Sequence, residues 1–309
     1  HMSWAGDNKV FPEVMDELGI PEIGFDKRRY EYEYSRFTPS QKANFMKAYS
    51  KVNADFKKAY PSMTDQDKMK WKYQRYMQDY LGTIQAVDEN VGRLLDYLEA
   101  NDLMENTIIV YTSDQGFYLG EHGWFDKRFV YDESFKTPLM ISWPGKIQPG
   151  SKSDEMVQNL DFAQTFLEAA QIEAPSDMQG ESLMPLLTGQ SDKWDRDAVY
   201  YHYYEYPSIH MVKRHYAIVT KEYKLIHFYY DVDEWELYDR KNDPKEMKNV
   251  YDDPAYAAVK KKLHGELEGL RKKYGDSSQI SQDLLERYLK EVKDTQGSFV
   301  RSYKKVGNE

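Results

Sequence analysis

From Thr64 to Ala100 the apolar side chains Trp71, Met77, Tyr80, Leu81, Ile84, Val87, Val91, Leu94, Leu95 and Leu98 return at three- and four-residue steps. That spacing puts them on one face of a single long amphipathic helix. Asn101 and Asp102 then make a turn, and "TIIVYT" (107–112) follows as a short continuous apolar run. Such a run is expected in a strand buried on both faces. A second one, "PLMISW" (138–143), ends at "PGKIQPG", and "NLDFAQTFLEAAQI" (159–172) reads as another helix. Helix, strand, strand, helix with apolar strands predicts an α/β layered fold.

The segments on either side differ from this centre. Near the N-terminus, "FPEVMDELGIPEIGFD" and "KRRYEYEYSRF" hold too few apolar residues for a domain of their own. Thr38 before Pro39, with Gln41 three positions on, is an N-cap and capping-box signal for a helix running to about Tyr60. Beyond Trp194 come "AVYYHYYEYP", "HYAIVT", "YKLIHFYY" and "WELYD", short aromatic-rich strand candidates with "TKEY" as a hairpin connection. "DPAYAAVKKKLHGELEGLRKKYGD" is helical from Asp253-Pro254, and "SQDLLERYLKEV" carries a last helical pattern. The expected organisation is therefore a partial α/β core over 1–193, an antiparallel sheet plus helix over 194–275, and a helical, polar tail over 276–309.

With 309 residues, 40% of them hydrophobic and 30% charged, the chain can bury a sizeable core. A net charge of −10 argues against a nucleic-acid surface. An anionic substrate would have to be met by a local pocket of Lys, Arg and His. The chain has no Cys, so disulfides, thiolate metal sites and cysteine nucleophiles are excluded. No apolar run approaches the roughly 20 residues of a membrane span. His1-Met2 has the look of a cloning remnant.

The residues that could carry chemistry gather after the first strand, in "YTSDQGFYLGEHGWFDK" (111–127). Asp114 and Gln115 stand where the apolar run stops, the place where open α/β sheets bind ligands. Their side-chain oxygens are hard donors suited to Ca2+ or Mg2+. The same "SDQG" also makes an ordinary turn. His122 sits between glycines that let the backbone bend or approach a ligand, and it reads equally as a loop histidine bonded to the backbone. Lys127 could clamp an anion as a point charge, or simply be solvated. "YHYYEYPSIHMVKRHY" (201–216) interleaves histidines, Lys213 and Arg214 with tyrosines. That composition suits a sugar ring bearing an anionic group, and it equally suits strands whose aromatics cover a core.

Taken together, "NTIIVYTSDQG", "GEHGWFDKRFVYDESFKTPLMISWPG", "VQNLDFAQTFLEAA", "GESLMPLLTG", "YKLIHFY" and "WELYDRKNDPKEMKNVY" resemble the C-terminal half of the formylglycine-dependent sulfatases. The likeness is to their glucosamine-6-sulfatase-like and iduronate-sulfatase-like members, and it covers roughly 65–275. It implies the C-terminal part of an alkaline-phosphatase-like core sheet with flanking helices, plus a small antiparallel α+β subdomain. By the same resemblance Asp114 and Gln115 are Ca2+ ligands, Lys127 binds the sulfate, and His122 lies beside the sulfate or the leaving oxygen. The C-terminal aromatic cluster becomes the substrate-recognition arm, with His202, His210 and Arg214 as contacts to sugar hydroxyls or acidic groups.

The family's nucleophile is a formylglycine made from Cys or Ser in a Cys/Ser-x-Pro-x-Arg motif, and nothing here fits it: "TPSQK" and "YPSIH" have the wrong order. The paired early aspartates of the metal site are absent as well. The resemblance thus implies a chain that begins after the first half of the core sheet, is inactive alone, and needs the missing N-terminal half or a second copy of itself. The implied substrate is a sulfated carbohydrate, N-acetylglucosamine 6-sulfate of a glycosaminoglycan, and the implied setting is the periplasm or the outside of the cell. Two other readings stay open: a metal-dependent phosphatase or phosphodiesterase relative, and a non-catalytic module that holds sulfated glycans through 201–216.

Overall fold

The structure, a computed structural model, describes residues 2–3, 35–206, 212–287 and 289–290. They fall into two compact units, one formed by 2–104 with 119–125 and the other by 105–118 with the residues from 126 onward.

The first unit is dominated by two helices. Helix α1 (Pro39–Ala59) starts as its sequence requires: the Thr38 hydroxyl accepts from the Gln41 amide, and the Gln41 side chain accepts from the Thr38 amide. Helix α2 (Asp65–Ala100) opens with the same device, Thr64 and Asp67 capping each other. The two helices meet where Phe56 stacks on Trp71 at 3.8 Å and where Asp79 accepts from both Tyr49 and Arg75. Farther along α2 part of the apolar stripe is exposed: Leu81, Ile84, Val87 and Leu94 are 46–58% exposed, whereas Val91, Leu95 and Leu98 are half-buried. The periodicity is as the sequence predicts. A minimal sheet of order β1-β4-β3 joins β1 (Met2–Ser3), β3 (Tyr118–Leu119) and β4 (Trp124–Asp126), with Met2 opposite Phe125.

The second unit holds both apolar runs as strands, β2 (Ile109–Thr112) and β5 (Leu139–Ser142). They pair antiparallel as a two-stranded ribbon, Ile109 opposite Ser142. The expectation that both faces are buried is not met, since Tyr111 is 40% and Met140 61% exposed. Two strands alone have no layer to cover them. Between the ribbon's strands lies the short helix α3 (Asp132–Phe135), and α4 (Asp161–Ala169) and α5 (Met184–Leu187) follow.

Strands β6 (Ala198–Tyr203), β7 (His215–Thr220), β8 (Tyr223–Phe228) and β9 (Glu234–Asp239) form an antiparallel meander in chain order. The TKEY turn closes β7 to β8 as expected, the Thr220 hydroxyl accepting from the Tyr223 amide. Alternation along β7 and β8 sends Ile218 and Leu225 to one face, where Leu263 and Leu267 of helix α6 (Ala257–Lys273) complete the core. The opposite face receives residues 128–135. There the fully buried Lys224 donates to the Val130 carbonyl and pairs with Asp132 and Glu246, while Arg240 forks onto Asp132. Burial works to raise the Asp132 pKa, but the two cations outweigh it and the carboxylate lies below its ordinary range. A lysine without solvent is tolerable only with such partners.

Candidate functional site

Two turns of the second unit carry the sequence-predicted chemistry, and one short segment holds both. The first turn follows β2. Ser113 donates its hydroxyl to the Gln115 carbonyl, which curls the chain so that Asp114 stands exposed with Gln115 beside it. Gly116 then donates its amide to the Ser134 carbonyl at 2.8 Å. A Cβ at Gly116 would lie 2.1 Å from the Glu133 carbonyl oxygen, so this crossing requires glycine.

The second turn is 126–128, around Lys127. Asp126 (φ 83°) and Arg128 (φ 99°) both hold left-handed backbone, costly for residues with a Cβ. The structure shows what sustains it. The Arg128 amide donates to the Ser134 hydroxyl at 2.8 Å, and the Arg128 carbonyl accepts from the Tyr201 hydroxyl at 2.6 Å. The Arg128 guanidinium pairs with Asp126 and lies 3.8 Å from Glu205. Burial pushes the Tyr201 phenol above its ordinary range, which keeps it a proton donor. Lys127, half-buried, makes no ion pair among the described residues.

Asp126, Arg128, Ser134 and Tyr201 escape sequence reading. Left-handed backbone at non-glycine positions has no sequence signature, and Ser134 and Tyr201 act through contacts that only the fold creates.

His122 belongs to the first unit, within the turn Glu121–Gly123. Gly120 (φ 127°) and Gly123 (φ 75°) both use positive φ, as their place in the sequence anticipates, and His122 itself is left-handed at φ 53°. Its ring stacks on Trp124 at 5.6 Å.

The expected sugar contacts are placed differently. Arg214 is 1% exposed, its Nε donating to the Tyr206 carbonyl at 2.5 Å and its Nη1 to the Ser281 carbonyl at 3.0 Å. The His202 side chain is 4% exposed, with Nδ1 on Asp276 at 3.0 Å and Nε2 on the Tyr229 hydroxyl at 2.5 Å. A carboxylate only accepts, so Nδ1 carries the proton. Burial lowers the His202 pKa to about 4 despite the nearby carboxylate. To touch a sugar, either residue would first have to abandon these bonds. His210 lies outside the described residues.

As for a cation, Asp114 and Gln115 supply the right oxygen chemistry but only part of a shell. Among the described residues no group of three or more His, Cys, Asp or Glu is arranged to hold a metal. The two side chains on their own do not make a complete cation site.

Comparison with known proteins identifies the relatives of this chain. The family model of N-sulphoglucosamine sulphohydrolase, C-terminal, matches residues 120–273, and that of sulfatase matches 23–172. An N-acetylglucosamine-6-O-sulfatase of Bacteroides thetaiotaomicron is 51% identical over 247 residues, covering 79% of this chain and 44% of that protein. An arylsulfatase of Clostridium perfringens is 31% identical over 221 residues, 69% of this chain and 44% of the relative. A solved structure in complex with its substrate D-glucosamine-2-N,6-O-disulfate superposes with a TM-score of 0.77 at 46% identity, covering 88% of this chain and 53% of that one. The chain thus spans about half the length of the relatives it matches.

Proposed function

The chain belongs to the sulfatase family, with that family's alkaline-phosphatase-like fold, and on this premise we propose that it contributes one part of the active site of a sulfuric ester hydrolase. The substrate we infer is a sulfated sugar, N-acetylglucosamine 6-sulfate of a glycosaminoglycan. What supports the substrate is the name of the 51% identical relative and the disulfated glucosamine bound in the solved one.

The observation that carries the reading is the pair of turns fastened to Ser134, one bearing Asp114 and Gln115 and the other Lys127. Asp114 and Gln115 would hold Ca2+, or Mg2+, through hard oxygens. Bound there, the cation would draw charge from a sulfate oxygen as the ester bond breaks. Lys127, without a carboxylate partner among the described residues, would hold the other sulfate oxygens as a point charge. His122 is assigned to the sulfate or leaving oxygen on the resemblance alone. The nucleophile is not among these residues, because the sequence has neither Cys nor a Ser-x-Pro-x-Arg motif. Activity therefore needs a formylglycine-bearing N-terminal half, and the setting we propose is secreted or periplasmic.

The test is hydrolysis of N-acetylglucosamine 6-sulfate with Ca2+ by this chain alone and mixed with such a half. Turnover confined to the mixture is expected, together with its loss in Lys127→Met and Asp114→Ala. Turnover by the chain alone would overturn the claim about the nucleophile. Failure of both samples, with metal-independent binding of a sulfated glycan, would favour the binding-module reading.

A further inference from the structure

We propose that Ser134 is a positioning residue that sets the geometry between the Asp114–Gln115 pair and Lys127, with Tyr201 as its second arm. The inference rests on the sulfate-binding role given to Lys127 above.

Ser134 spends two atoms on two different turns. Its carbonyl accepts the Gly116 amide at 2.8 Å, the amide of the peptide immediately after Gln115. Its hydroxyl accepts the Arg128 amide at 2.8 Å, the amide of the peptide immediately after Lys127. One residue thus fixes the peptide plane next to a cation-facing side chain and the plane next to the anion-binding one. Ser134 is 6% exposed, so water does not compete for either bond. It is itself immobilised: its amide donates to the Tyr131 carbonyl at 3.0 Å, and the Tyr131 hydroxyl donates to Glu236 on β9 at 2.7 Å. The neighbouring Asp132 is gripped by Lys224 and Arg240 from the sheet.

The arrangement does work that nothing local can do. Arg128 at φ 99° would relax toward ordinary backbone if its amide lost the hydroxyl, and the Lys127 stem would swing with it. The Tyr201 hydroxyl, on the Arg128 carbonyl at 2.6 Å, holds the next peptide plane from β6. Catalysis of sulfate transfer is largely a matter of placing opposite charges around one group, and a displacement of about 1 Å can cost on the order of 100-fold in rate. The rigid meander therefore positions Lys127 without touching the substrate.

The experiment is a double-mutant cycle on kcat/KM in the assembled enzyme: Ser134→Ala, Lys127→Met and the pair. Ser134→Ala is expected to lower kcat/KM roughly 10-fold or more, and to cost under about twofold once Lys127 is already Met, since the effect runs through that lysine. Tyr201→Phe, which keeps the ring and removes one bond, should show the same pattern if Ser134→Ala folds poorly. In the 309-residue chain alone, Ser134→Ala should speed hydrogen exchange at the Arg128 amide while Gly116, bonded to a backbone carbonyl, stays protected. Equal losses in both backgrounds, or unchanged exchange at Arg128, would overturn the proposal. Unchanged kcat/KM in Lys127→Met would instead overturn the sulfate-binding assignment, and the positioning role with it.

Discussion

Gly116 has no room for a side chain, because the Glu133 carbonyl oxygen occupies the space where a Cβ would go. Gly116→Ala is therefore expected to destabilise the chain by about 1–3 kcal/mol or to push the Asp114–Gln115 turn out of place. A urea midpoint reads the first outcome and activity of the assembled enzyme the second. Arg214 makes a separate prediction: replacing it by Met leaves the Tyr206 and Ser281 carbonyls unpaired inside the protein, at about 1–3 kcal/mol. A lowered unfolding midpoint fits that interior role, whereas unchanged stability with weaker glycan binding would restore the surface role.

The buried histidines give a pH dependence of definite sign. Burial lowers both His202 and His215 from 6.5 to about 4. His215 donates Nδ1–H to the Lys213 carbonyl, and its Nε2 has no partner among the described residues, so the folded state accommodates the neutral ring. Above pH 6.5 both states hold these rings neutral and the shift has no effect. As pH falls from 6.5 toward 4 the unfolded chain takes up protons that the folded chain refuses, and stability drops by about 1.4 kcal/mol per pH unit for each histidine. Urea midpoints measured from pH 7.5 to 4 should be flat at first and then decline. A midpoint rising toward pH 5 would contradict the assignment.

At the scale of elements, α2 is the informative one. Its period is read from the sequence, and the structure adds the Thr64–Asp67 cap at its start. Its exposed stripe of Leu81, Ile84, Val87 and Leu94 is the kind of contiguous apolar surface that marks an interaction site. If the proposed complementary half docks on this helix, the stripe is the face it would cover. Val87→Glu should then leave the stability of the isolated chain within about 0.5 kcal/mol, as a surface change does, yet abolish turnover in the mixture. Loss of stability in the isolated chain would mean that the stripe already has a partner within it.

For the molecule as a whole, the acidic balance of −10 sits beside a proposed substrate class that is itself anionic. On that proposal attraction would be local, through Lys127 and a bound cation rather than through a basic surface. EDTA should abolish turnover in the assembled enzyme and Ca2+ should restore it. Asp114→Ala should raise the Ca2+ concentration needed, and activity indifferent to chelation would remove the metal from the reading.

By itself the sequence determined the family, the cap of α1, the period of α2, the segments that become β2 and β5 to β9, and the crowding of polar donors after β2. These depend on periodicity, capping and turn chemistry, all of which act over a few residues. It could not say that the apolar run 107–112 would pair with one strand instead of lying between layers, because burial depends on what else is present to cover a strand. Nor could it separate the two meanings of 201–216: composition is the same for a binding face and a core, and only packing turned Arg214 and His202 inward. The tie through Ser134 was equally hidden. Its bonds join turns distant along the chain, and a serine advertises nothing until the tertiary fold brings an amide to its hydroxyl and another to its carbonyl.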